Sequence, residues 1–271
     1  MSRAVLNPLQ SILEIRNISK KYKINNSSVQ TVLNEVNLKV REGEFITIIG
    51  KSGCGKSTLL NIIAGLDRSF TGELLVNDKS INPSNPDRIV IFQENSLFPW
   101  LNVIQNIEFA LRQAKVLKKF RKNLAMKYLN MVGLSDFAYA NIHELSGGMK
   151  QRISIARALS LNPRILLMDE PFASLDTHTR QSLQSELLRI HEQTKKTILF
   201  VTHNIEEAVL LGDRVILLSN NTGNFQREFI VNVPRPRSLN HSLLRGILSE
   251  ALNELRKDYH DKREYANPIP I

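Results

Sequence analysis

Phe45-Ile-Thr-Ile-Ile49-Gly50-Lys-Ser-Gly-Cys-Gly55-Lys56-Ser57 is the stretch that decides the fold. The run before Gly50 is apolar apart from Thr47, as expected of a strand covered on both faces. From Gly50 to Ser57 the chain matches G-x-x-x-x-G-K-[ST], and a helical pattern, Lys56–Ala64, follows directly. Strand, glycine-rich loop and helix in that order make a cradle for phosphate. Glycines let backbone N–H groups turn inward, and the helix adds its positive end. Gly50, Lys51, Ser52, Gly53, Cys54, Gly55 and Thr58 form the wall of the cradle. Lys56 is placed to reach the β- and γ-phosphates of a nucleotide, and the Ser57 hydroxyl suits Mg²⁺.

Working outward, strand-like runs occur at Ile12–Ile15, Val36–Val40, Glu44–Ile49, Glu73–Val76, Arg88–Phe92, Ile165–Met168, Thr197–Thr202 and Arg214–Leu218. Helical periodicity fits Lys56–Ala64, Asn102–Val116, Asn123–Val132, Gly147–Ser160, Thr177–Gln193 and Ile205–Gly212. Several strands lead straight into helices, which predicts an α/β fold with a mostly parallel, helix-covered sheet. Between Asn95 and Leu145 the strand signal disappears, so an all-helical subdomain, about residues 95–150, is expected as an insert in a domain spanning 12–237. Pro234-Arg-Pro236 breaks the pattern, and a tail, 238–271, follows. Its helix, roughly His241–Tyr259, carries Leu244, Ile247, Leu248, Ala251 and Leu255 on one stripe. That stripe packs on its own domain or meets a partner.

The 271 residues suit one to two domains, at about 150 residues each. With 42% hydrophobic and 23% charged residues, the chain is neither disordered, collagen-like nor a disulfide framework. Apolar runs such as Ile165–Met168 and Ile198–Val201 are too short to span a bilayer. Asn7, Pro8 and Gln10 cut short the apolar start at Ala4–Leu6, so no secretory signal is expected. The sole cysteine, Cys54, forms no internal disulfide, which fits a reducing cytoplasm. Within the phosphate loop its thiol is either exposed and activated or a small core filler. The net charge of +10 suits a polyanionic partner or a solvated surface. It is uneven: from Phe109 to Ser135 there is no acid, yet Arg112, Lys115, Lys118, Lys119, Arg121, Lys122 and Lys127 all occur.

Two further stretches carry chemistry. Arg164-Ile-Leu-Leu-Met-Asp169-Glu170 is a buried-strand pattern ending in adjacent carboxylates, at the edge where α/β sheets place ligands. Asp169 suits a Mg²⁺ hydration shell, and Glu170 suits a general base for water. Leu145-Ser146-Gly147-Gly148-Met-Lys-Gln-Arg152 opens a helix with a hydroxyl and bare N–H groups, a second anion cradle that another copy of the chain can lend.

Together with Pro171 and Ser174-Leu-Asp176, these three motifs resemble the ATP-binding-cassette (ABC) ATPases over about Leu13 to Pro236. The resemblance implies a P-loop NTPase core with an antiparallel β portion, and a working ATPase using ATP and Mg²⁺. It implies that Gln93 touches Mg²⁺ and water and hinges the helical insert, that His203 contacts the γ-phosphate, and that Asp176 lies in a loop crossing a dimer interface. It also matches Tyr22 to an aromatic that stacks on adenine, although a Tyr at such a place also serves in core packing. Two copies, or one copy and a second cassette subunit, are expected to sandwich two nucleotides between Gly50–Ser57 of one and Ser146–Gly148 of the other.

No fused membrane segment, second cassette, coiled coil or zinc site is apparent, which leaves a stand-alone cassette subunit. Glu94-Asn-Ser-Leu-Phe-Pro99-Trp100-Leu-Asn-Val-Ile-Gln-Asn106 looks like the importer ATPases for nitrate, sulfonate, taurine and bicarbonate. The resemblance implies a peripheral subunit on the cytoplasmic face of the membrane. It would work with two permease subunits and, indirectly, an extracytoplasmic solute-binding protein, with no nucleic-acid partner. Trp100 is then either a core residue of the helical insert or part of a groove for the permease. Asn204 after His203, and Phe172-Ala-Ser174, depart from the commoner family pattern. A nucleic-acid-associated ABC ATPase, and an exporter or lipid-system ATPase with a separate permease, are the alternatives.

Overall fold

The computed structural model describes residues 11–25, 28–80, 87–219 and 222–264. The N-terminal reading at Ala4–Gln10 and the last residues of the tail lie outside the described residues. The chain divides into two units, one drawn from Met1–Asn85 with Thr197–Ile271 and the other from Pro86–Lys196.

The first unit opens with β1 (Ser11–Asn25) and β2 (Ser28–Arg41), followed by β3 (Phe45–Ile49), α1 (Lys56–Ala64), β4 (Thr71–Val76) and β5 (Lys79–Ser80). In the second unit the chain forms β6 (Arg88–Ile91), α2 (Val103–Gln113), α3 (Lys118–Met131), α4 (Gly147–Ser160), β7 (Ile165–Asp169) and α5 (Thr177–Thr194). It returns to the first as β8 (Thr197–Thr202), α6 (Ile205–Leu211), β9 (Arg214–Leu218), β10 (Phe225–Ile230) and α7 (Ser242–Glu264).

In the first unit β2-β1-β4-β5 form an antiparallel sheet. β3 lies between β8 and β9 and is parallel to both, with β10 antiparallel at the outer edge. Every residue of β3 and β8 is buried, which explains why both strands are apolar apart from threonines. The one hydroxyl in β3, on Thr47, donates to the carbonyl of Ala208 at 3.2 Å. In the second unit β6 and β7 pair in parallel, and α2, α3 and α4 pack on one another. Asn102 and Gln105 close a capping box at the start of α2. One turn on, the fully buried amide of Asn106 donates to the carbonyls of Phe98, Leu101 and Asn102 and accepts from the N–H of Phe98. That amide shapes the turn carrying Pro99 and Trp100.

Several element boundaries differ from the sequence reading. α2 stops at Gln113, short of Val116, because Lys115 takes a left-handed conformation (φ 61°). α3 starts at Lys118 and not Asn123; its first turn is made of good helix formers whose charges carry no apolar stripe. β10 escaped notice because only its two phenylalanines and Ile230 are apolar, the rest being exposed polar residues. The tail helix packs on its own unit. Leu244 and Ala251 are buried in a cluster with residues of α6, β9 and β10, and Ile247, Leu248 and Leu255 rest against it.

Arg237 ties this corner together. Its side chain is 3% exposed. Its guanidinium donates to the carbonyls of Val209, Leu210 and Gly212 at the end of α6, and to those of Val231 and Val233 beyond β10, at 2.5–3.3 Å. It therefore caps the negative end of a helix and stitches it to the following segment. Burial, with Arg235 nearby, lowers its pKa to about 10, so it stays charged at neutral pH. A lysine cannot span five acceptors. Arg237→Lys should lower unfolding free energy by about 2–4 kcal/mol in urea titrations, since it strands buried carbonyls.

Candidate nucleotide site

β3 delivers the chain into the loop of the first unit. A Cβ on Gly50 would lie 2.5 Å from the carbonyl oxygen of Leu218 and 2.7 Å from Cys54 Sγ, so only glycine fits. Gly53 and Gly55 adopt φ of 81° and 105°, which reverses the chain into α1. The first turn of α1 carries no acid and no side-chain cap, which leaves its positive end available to an anion. Lys56 is 5% exposed, and its ammonium donates to the carbonyls of Gly50 and Lys51 at 2.8 and 2.9 Å. The ammonium is thus held inside the curve of the loop. Ser52, Gly53 and Ser57 are exposed.

Cys54 settles one alternative. Its side chain is 2% exposed and turned toward Gly50, so the thiol is a core filler and not an exposed, activated group.

Tyr22 is 42% exposed, which excludes the core-packing reading. Its hydroxyl donates to Asp67 at 3.2 Å, and Lys20 Nζ sits 4.7 Å from its ring centre while pairing with Asp67 at 2.7 Å. Burial opposes ionisation of Asp67, but hydrogen bonds from Lys20 and Ser69 hold its carboxyl below the usual range. The ring therefore has a fixed edge and a free face. His203, exposed, follows β8 at a rigid turn. Thr202 Oγ1 donates to Glu207 at 2.5 Å and accepts from the N–H of Asn204 at 3.0 Å, while Asn204 caps α6 through the N–H of Glu207. Asn204, although it departs from the commoner family pattern, therefore serves as a helix cap.

In the second unit β7 ends at Asp169, half-buried, and Glu170 follows in a left-handed conformation (φ 45°). That is an uncommon state for a glutamate, held in place as its carbonyl accepts from Ala173 at 3.1 Å. It turns the backbone sharply at the end of β7. Gln93 is exposed just after β6. Ser146 caps α4, its Oγ accepting from the N–H of Met149 at 3.2 Å. Asp176 caps α5 through Thr179, whose hydroxyl and N–H hold the carboxyl below its ordinary pKa.

The structure brings Ser146–Gly148 and Asp176 together through residues that the sequence reading did not single out. A Cβ on Gly148 would lie 2.5 Å from Thr179 Cγ2, and one on Gly147 3.3 Å from Leu175. One helical turn along, Arg152 Nε meets Glu186 at 2.9 Å and its Nη2 donates to Ser182 at 3.2 Å. Arg180 donates to the carbonyls of Phe172 and Leu175 and holds the loop before α5. Their i, i+4 spacing on both helices was the available signal. Trp100 is 75% exposed and so is not a core residue. Phe98 stacks against it at 5.4 Å and against Phe109 at 4.7 Å, beside an apolar cavity of about 400 Å³ lined by Ile91, Phe92, Phe98, Phe109 and Arg157.

Gly148→Ala should reduce nucleotide turnover by more than about tenfold by forcing the start of α4 away from α5. Thr179→Ser, which removes the opposing methyl, should restore most of the loss. Phosphate release by the single and double variants is the measurement.

The sequence profile described as "ABC transporter" matches residues 33–173. An uncharacterized ABC transporter ATP-binding protein of Methanocaldococcus jannaschii is 45% identical over 83% of this chain and 84% of its own length. An aliphatic sulfonates import ATP-binding protein of Bacillus cereus is 41% identical over 95% of this chain and 98% of its own. Among solved structures, the dimeric post-hydrolysis state of an ATP-binding cassette bound to ADP and Pi is 34% identical with a TM-score of 0.70, covering 82% of this chain and all of that one. The phosphate loop after β3, the paired carboxylates after β7 and the capped glycine pair opening α4 therefore sit on a P-loop NTPase fold, and the chain belongs to the ATP-hydrolysing subunits of the ABC transporter family.

Proposed function

We propose that this ABC ATPase powers the import of a small anion, of the nitrate, sulfonate, taurine or bicarbonate type, through two separate permease subunits at the cytoplasmic face of the membrane. The observation that carries the reading is Trp100, 75% exposed beside an apolar cavity of about 400 Å³. A large aromatic held in water by a tightly hydrogen-bonded turn suits a permease helix docking there. The near full-length likeness to the sulfonate import subunit supports the same direction. No helix among the described residues is long and apolar enough to cross a membrane, so a spanning partner fits the part.

Each unit carries its own share of the proposed mechanism. In the first, loop N–H groups and Lys56 bind the β- and γ-phosphates, Tyr22 offers its free face to the base, and His203 contacts the γ-phosphate. In the second, Glu170 accepts a proton from the attacking water. Each unit offers oxygen donors suited to Mg²⁺, Ser57 in the first and Asp169 and Gln93 in the second, and the ion would neutralise phosphate charge when bound. The exposed Ser57 hydroxyl and the half-buried Asp169 carboxylate are chemically apt ligands for it. Ser146, Gly147, Gly148 and Asp176 serve the nucleotide of a second copy, so two chains close over two ATP. Closing converts binding energy into a pull on the permeases. The solute itself is selected by the permease and an external binding protein.

Glu170→Gln should bind ATP normally but hydrolyse it at least about a hundredfold more slowly. It should elute as a dimer with ATP in gel filtration. Turnover at the parent rate would remove Glu170 from this role. Trp100→Ala should leave turnover by the purified chain intact while permease recovered with it falls about tenfold. Undiminished recovery would place the permease contact elsewhere.

A further inference from the structure

The basic run of the second unit plays no part in the scheme above, and its geometry is specific. Arg112 near the end of α2 and Lys118 and Arg121 at the start of α3 line a pocket of about 270 Å³, with Gln105 and a single acid, Glu108. Among the described residues none of these three cations is in an ion pair with a carboxylate. Two are held in place: the Arg112 guanidinium lies 4.9 Å over the Phe109 ring, and Arg121 Nε donates to the carbonyl of Val116 at 2.7 Å. The first turn of α3 has neither an acid nor a capping side chain, so its positive end adds to the same field. Beside the pocket two apolar side chains stand in water, Leu117 at 62% and Phe120 at 49% exposure, flanked by Lys115, Lys119 and Lys122.

We propose that this face binds anionic phospholipid headgroups directly. A lipid phosphate seats among Arg112, Lys118 and Arg121 while Leu117 and Phe120 enter the interfacial region. Fixed cations lose little freedom on engaging a phosphate, which favours a binding pocket over a merely solvated surface. Aliphatic and aromatic side chains set between cations match a surface that is charged outside and apolar just beneath. A nucleic-acid backbone offers no place for Leu117. The contact is independent of the importer reading: it needs neither a permease nor nucleotide turnover.

The test is co-sedimentation of the purified full chain with permease-free vesicles of phosphatidylcholine, with and without about 30% phosphatidylglycerol. Binding to the anionic vesicles should be at least about tenfold tighter and should weaken steeply with added NaCl. Lys118→Glu with Arg121→Glu should abolish the difference. Leu117→Ser with Phe120→Ser should weaken binding several-fold while leaving the melting temperature and ATP turnover unchanged, which guards against a misfolded charge variant. Equal binding to neutral and anionic vesicles, or no binding, would overturn the proposal. So would release of the vesicles by millimolar inorganic phosphate, which would mark a small-anion site. Tighter binding of single-stranded RNA at the same residues would assign the face to nucleic acid instead.

Discussion

Strands covered on both faces tolerate only polar side chains whose hydrogen bonds are made inside the protein, and this constraint shapes the first unit. β3 and β8 are buried at every residue, and the one hydroxyl in β3 is satisfied by a backbone carbonyl. Of the candidate residues, the phosphate loop, Asp169 and Glu170, and His203 accordingly lie where buried strands end. Each exit carries its own device for turning the chain sharply. β3 leaves through glycines with positive φ, β7 through a glutamate in a left-handed state, and β8 through the hydrogen-bonded trio Thr202, Asn204 and Glu207.

A second level of organisation lies between α4 and α5. Gly148 against Thr179, and Arg152 against Ser182 and Glu186, join the two helices over their first turns. Burial pushes the Glu186 carboxyl up in pKa, against the pull of Arg152 and Arg189. The capped ends bearing Ser146 and Asp176 are therefore joined by direct side-chain contacts.

How much of this was legible in the sequence depended on the range of the interaction. The phosphate loop, the carboxylate pair and the capped Ser-Gly-Gly are contiguous, and contiguous motifs carry their geometry with them. Apolar periodicity found the buried strands, but β10 and the first turn of α3 are set by packing and charge and show no periodicity. The placement of Cys54 and Trp100 was also beyond reach. One thiol in a glycine loop is compatible with either side of the loop, and the turn that exposes Trp100 depends on a buried amide eight positions from Phe98. Arg237 directly follows the Pro234-Arg-Pro236 breaker and gives no signal of its own, yet its guanidinium stitches the end of α6 to the segment after β10. Such roles arise from three-dimensional neighbours and leave no local signature.

The outer edge of the first unit has a consequence for solubility. β10 is the terminal strand beside β9, and an unpaired strand edge is a template on which other chains can polymerise. Here Gln226, Arg227 and Glu228 occupy the middle of that strand, and Arg227 is drawn to Glu250 and Glu254 of the tail helix. A neighbouring strand would have to approach a polar stretch whose charges are already paired, Arg227 with the tail and Glu228 with Arg214. The tail thus acts as a guard against edge-to-edge association, steering self-association away from this side of the molecule.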